Sequence, residues 1–176
     1  YGVSVAQELL ARSGITITEA VFLNGGLFPD LHYPTRMQKL VAGPLGPLMA
    51  RLANEKTYSR GLQEVMNKPP SAEELHQHWL ATSRDGGKLV LPKLLGYIAE
   101  RRANEERWVG ALTGTPEVPK RFVWGPEDPV SGAHVLPEIR RRVPEADVHV
   151  IEGVGHWPQL EDVAGVAAAL RLRPSG

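Results

Sequence analysis

The sequence has no cysteine, which removes a disulfide framework, thiolate metal sites and a cysteine nucleophile from consideration. It has no excess of charge: twenty basic side chains balance twenty acidic ones, leaving no electrostatic footprint for nucleic acid or another polyanion. It also has no apolar run near the roughly 20 residues that span a bilayer, and no signal-peptide pattern before its first helix. Anything upstream of Tyr1 could carry either. What is present is 176 residues with 42% hydrophobic content, enough for one core.

The pattern along the chain is that of an α/β protein. Val5, Ala6, Leu9 and Leu10 recur at helical spacing over Val3 to Arg12, and Ser13-Gly14 ends the run. Ile15 to Leu23 is β-branched and apolar and stops at Asn24-Gly25-Gly26, as a buried strand does at a tight turn. Residues 31–112 read instead as short helices broken by Gly43-Pro44, Lys68-Pro69-Pro70 and Asp85-Gly86-Gly87. One of these starts at Ser71-Ala72-Glu73-Glu74, a capping box, and another is expected from Leu89 to Trp108. Strands return at Arg121 to Trp124 and Asp147 to Ile151, separated by a helix with Pro137 in its first turn. An Ala-rich helix from Asp162 or Val163 to Leu170 follows, with a frayed tail from Arg171 to Gly176.

Two motifs carry chemistry. Gly125-Pro126-Glu127-Asp128-Pro129-Val130 follows one late strand, and Gly153-Val154-Gly155-His156-Trp157-Pro158 follows the next. Functional groups of open α/β sheets gather at the carboxyl ends of strands, so both are expected at one crevice. Imidazole is suited to act as a base near neutral pH, and a carboxylate beside it would orient the ring and stabilise the imidazolium. Alone, a glycine-flanked histidine or an Asp before Pro is usually a turn residue. The ordered pair, with one helix between, argues for His156 as base and Asp128 as its partner.

This order of acid and histidine, with a helical insertion between earlier strands, resembles the α/β-hydrolase superfamily. Tyr1-Gly2 followed by a helix is similar to the stretch after the nucleophilic Asp in its epoxide hydrolase and haloalkane dehalogenase group. Leu23-Asn24-Gly25-Gly26-Leu27-Phe28-Pro29, Trp108-Val109-Gly110-Ala111-Leu112 and His156-Trp157-Pro158-Gln159-Leu160-Glu161 extend the likeness to a vertebrate member over nearly the whole chain. The resemblance implies the C-terminal part of an α/β-hydrolase fold. Residues 1–30 would be a helix and strand of the core, 31–112 an inserted helical cap, and 113–176 the remaining core with acid and histidine. It implies an upstream nucleophile immediately before Tyr1, whose backbone amide would be an oxyanion donor. The chain alone would then be inactive. An epoxide or ester-like substrate, small or lipidic, would be hydrolysed with no metal or organic cofactor. The full-length protein would be an endoplasmic reticulum membrane protein anchored by an upstream segment.

Other readings stay open. An upstream Ser in place of Asp would make a serine esterase or lipase, and a catalytically silent binding protein on the same fold is a third class. An intact small domain would unfold cooperatively by itself. Ser4 lies in Gly2-Val3-Ser4-Val5-Ala6, one residue off a Gly-x-Ser-x-Gly elbow, yet has no preceding strand and reads as a first-turn helix residue. Tyr97 and Trp157 are candidate substrate contacts, with cap packing as the alternative. His76 and His78, two apart on a helix, point to different faces and do not suggest a metal site. Arg140 to Arg142 reads as a solvated helix face.

Overall fold

A computed structural model describes residues 1–171, so the expected frayed tail lies, after Arg171, outside the described residues. Its centre is a three-stranded parallel sheet in the order β1-β2-β3, formed by β1 (Ala20–Leu23), β2 (Lys120–Trp124) and β3 (Asp147–Val150). β1 is shorter than the expected Ile15 to Leu23 because its ladder begins where its partner does. Ala20 pairs with Lys120 and its N–H bonds the carbonyl of Pro119, so residues 15–19 run ahead of any strand to bond.

Period-two alternation divides the strands between two faces. Phe22, Phe122 and Trp124 face α1 (Gly2–Leu10), α8 (Glu105–Gly114) and α9 (Leu136–Arg142), meeting Leu10, Leu112, Leu136 and Ile139 in one cluster. Phe22 and Phe122 stack with centroids 5.2 Å apart, and burying rings of this size stabilises the fold by about 1.5–3 kcal/mol each. On the other face, Val123, flanked by Val21 and Leu23, packs with Val166 and Ala169 of α11 (Val163–Arg171), which follows the short α10 (Pro158–Glu161). Apolar residues on both faces of parallel strands require this double cover.

The long connection between β1 and β2 is helical: α2 (Arg36–Ala42), α3 (Gly46–Leu52), α4 (Glu55–Gln63), α5 (Ala72–Ser83), α6 (Leu91–Leu94), α7 (Tyr97–Ala103) and α8. Capping boxes start three of them, at Thr35, Asn54 and the expected Ser71. The single helix expected from Leu89 to Trp108 is divided. A 3-10 stretch over Arg84–Val90 contains Asp85 at φ 50° and Gly86 at φ 76°, and Asn104 at φ −111°, ψ 19° separates α7 from α8. α8 packs on α1, so residue 112 falls inside a helix that covers the sheet. Glu8 locks this pair by accepting from Arg107 Nε (2.9 Å), Trp108 Nε1 (2.8 Å) and Arg12 Nε (3.0 Å). No helix among the described residues is long and apolar enough to cross a membrane, so the expected endoplasmic reticulum location draws no support from this chain.

Candidate active site

The loops after β2 and β3 converge because neither can carry bulk where they cross. A Cβ on Gly125 would lie 2.4 Å from the Gly155 carbonyl and 2.5 Å from that of Val154. Gly153 turns the second loop with φ 71°, a conformation that favours glycine. The N–H of Glu127 donates to the Val154 carbonyl at 3.0 Å and ties the two loops together.

His156 Nδ1 lies 2.7 Å from Asp128 Oδ2. An ionised carboxylate only accepts, so Nδ1 carries the shared proton and Nε2 is left as the basic nitrogen. The Asp128 side chain is fully buried while that of His156 keeps 19% of its surface exposed, so the pair presents imidazole to the outside. Burial pushes the Asp128 carboxyl up, but donation from His156, from the Ser131 hydroxyl (2.6 Å) and from the Val130 N–H (2.8 Å) outweighs it. Its pKa is held below the usual value and it stays ionised.

Two cavities open beside the imidazole. One, of about 380 Å³, is lined by Tyr1, Ser4, Asn24, Tyr97, Arg101 and His156 among others. The other, of about 570 Å³, is apolar, with Met37, Met49, Leu62, Trp79 and Val65 in its wall. His156, Trp157 and Gln38 border both. Tyr1 and Tyr97 meet edge to face, 5.5 Å between centroids. All of the anticipated contact residues thus lie around one imidazole, with Asp128 behind it.

Residues considered and set aside also have places. Ser4 sits in the first turn of α1, buried, its Oγ without a hydrogen-bond partner among the described residues. Trp108 is spent on Glu8, and His76 Nδ1 meets Glu55 at 2.8 Å. Arg141 and Arg142 pair with Glu138, and Arg142 also with Asp30.

Several positioning residues escaped the sequence reading. Asn24 reads as a turn former, yet its Nδ2 donates to the Gly125 carbonyl (2.8 Å) and to Asp128 Oδ2 (3.1 Å), and its Oδ1 accepts from the Gly125 N–H (2.6 Å). The Glu161 carboxylate accepts from the N–H groups of Asn67, Lys68, Gly155 and Trp157 at 2.8–3.1 Å, clamping the histidine loop to the segment before α5. His32 and Arg101 form a buried pair, 2.6 Å apart. The bonds of Asn24, the ties of Glu161 to Asn67 and Lys68, and the His32–Arg101 pair bridge about 70 to 100 residues, so no local spacing announces them.

The profile of the alpha/beta hydrolase family matches residues 1–169. The mesoderm-specific transcript homolog protein of Bos taurus is 40% identical over 177 residues, an alignment covering 94% of this chain and 52% of the bovine protein. The chain therefore spans about half the length of that curated relative. Among solved structures, an alpha/beta hydrolase fold protein from Burkholderia ambifaria superposes with a TM-score of 0.72 at 18% identity, covering 98% of this chain and 62% of its own. A haloalkane dehalogenase loop variant from Bradyrhizobium elkanii gives 0.67 at 18% identity, covering 96% and 63%.

Proposed function

Because the chain belongs to the alpha/beta hydrolase family, we propose that it supplies the base and the orienting acid of a covalent hydrolase whose nucleophile lies upstream of Tyr1 in the full-length protein. The observation that carries this reading is the 2.7 Å contact between His156 Nδ1 and a buried, ionised Asp128, with the imidazole bordering both cavities. An upstream aspartate attacks a ring carbon of an epoxide, and an enzyme ester forms as that carbon's bond to the ring oxygen breaks and the oxygen takes a proton from water. An ester substrate would instead call for the upstream serine, which forms an acyl-enzyme as the alcohol leaves with a proton. His156 Nε2 then takes a proton from water as the water oxygen attacks the ester carbonyl. On this reading the Tyr1 backbone N–H donates to the developing oxyanion, and collapse releases product and the free carboxylate. Asp128 stabilises the imidazolium while it lasts.

The apolar cavity supports a small apolar or lipidic substrate, since the side chains of Met37, Met49 and Leu62 line the same cavity as the imidazole. The test is turnover by the full-length protein on a panel of aliphatic epoxides and short-chain esters, with and without His156→Ala. The variant is expected to lose about 10²–10⁴ in rate. Equal turnover by parent and variant would point to catalysis elsewhere, and no turnover by either on the panel would favour a silent binding protein.

A further inference from the structure

We infer that Arg101 and His32 form an anion subsite in the cavity beside His156, and that the molecule processed there carries a carboxylate. The inference deepens the hydrolase reading and rests on it only for the position of the labile bond. Arg101 extends from α7 into the 380 Å³ cavity wall and is only 3% exposed. Its guanidinium has five N–H donors. Nη1 donates to the Gly26 carbonyl (2.7 Å), Nη2 to His32 Nδ1 (2.6 Å), and Nε has no partner among the described residues. The other Arg side chains drawn into the packed structure have acids: Arg121 meets Asp147 at 2.8 Å, and Arg142 meets Asp30 and Glu138. Arg101 meets no carboxylate among the described residues. It has instead the ring of Tyr97, 5.1 Å from its guanidinium carbon.

A buried cation without a counter-ion is strongly unfavourable unless something binds it. The surroundings are built for this one. A Cβ on Gly26 would fall 1.2 Å from Nη1, so only glycine leaves the guanidinium its seat. Arginine has no acceptor, so His32 must turn an unprotonated Nδ1 to it and carry its proton on Nε2. Burial and the neighbouring Arg101 and His156 keep His32 neutral, with a pKa of about 4. The cavity wall thus offers N–H donors from two side chains, while the carboxylate of Asp128 is covered by four donors of its own. An anion is the complement of such a wall. Because Gln38, His156 and Trp157 border both cavities, a substrate can place an apolar body in the larger one, its labile bond at His156 and its carboxylate on Arg101.

The test compares hexanoate with hexanamide, equal in shape and different in charge, binding to the full-length protein at neutral pH. Calorimetry and thermal shift are the readouts. Hexanoate is expected to bind about tenfold or more tightly than hexanamide. Arg101→Met is expected to abolish the preference, and His32→Gln to reduce it. Equal binding of the two ligands by the parent overturns the inference even if Arg101→Met does not fold. A hexanoate preference that survives in folded Arg101→Met overturns it too, by placing the anion elsewhere. Repeating the titration in His156→Ala separates the two readings. A retained preference upholds the subsite whatever becomes of catalysis, while turnover of neutral esters without any preference removes the subsite and leaves the hydrolase.

Discussion

Replacing Asn24 with alanine removes the brace between the end of β1 and the acid loop. Four hydrogen bonds go with it: to the Gly125 carbonyl, from the Gly125 N–H, to Asp128 Oδ2, and a long one of 3.4 Å to the Ser131 carbonyl. Each neutral bond contributes about 1 kcal/mol net, the bond to the ionised carboxylate about 1.5–3, and water entering the vacated space offsets part of the loss. A destabilisation of about 3 kcal/mol follows, or a Tm lower by about 6–12 °C at this chain length. Asn24→Asp sharpens the test, because it keeps the acceptor for the Gly125 N–H but sets a second carboxylate about where the amide nitrogen was, 3.1 Å from Asp128 Oδ2. Two carboxyl groups so close share a proton, and one pKa rises above its unfolded value. A raised folded-state pKa contributes stability below the unfolded value that is lost as pH rises through the raised one. Asn24→Asp is therefore closest to parent stability in acid and falls away towards neutrality. Urea unfolding across pH checks both variants. A cost below about 1 kcal/mol for Asn24→Ala, or a pH-independent deficit for Asn24→Asp, would refute the brace.

Two further outcomes follow from local geometry. Gly125→Ala drives a methyl into the Gly155 and Val154 carbonyls and is expected to cost about 1–3 kcal/mol or more, whereas Gly110→Ala in α8, with open space around it, stabilises by about 1 kcal/mol; denaturant midpoints compare them. His32, with its folded pKa lowered from 6.5 to about 4, makes the unfolded chain take up a proton first on acidification. Stability falls as pH drops from about 6.5 to about 4, and His32→Gln flattens that part of the midpoint-against-pH curve.

The layered fold was legible because its signals are local. Helical spacing marked α1, a short buried run marked β2, alternation marked β3, and Ser71 with Glu74 wrote its own capping box. The Asp128–His156 pair was legible for a related reason: each residue lies in the loop after its strand, and β2 and β3 are parallel neighbours, so both loops leave the same edge of the sheet. Breaks inside Leu89 to Trp108 were not, because Asn104 ends α7 through a backbone conformation that its residue type permits but does not announce. Nor were Asn24, Glu161 and Arg101, whose partners lie far along the chain. Their roles come from side-chain geometry that only the assembled strand ends create.

The central claim is that His156 activates water against an ester formed on an upstream carboxylate. Intact-mass analysis of the full-length His156→Gln protein after exposure to an aliphatic epoxide tests it directly. A carboxylate nucleophile needs no base to open the epoxide, but its ester needs one to be hydrolysed. The account predicts a stoichiometric adduct of one epoxide mass, mapping to the peptide ahead of Tyr1, that accumulates in the variant and not in the parent. A variant that carries no adduct while the parent turns the epoxide over would contradict it.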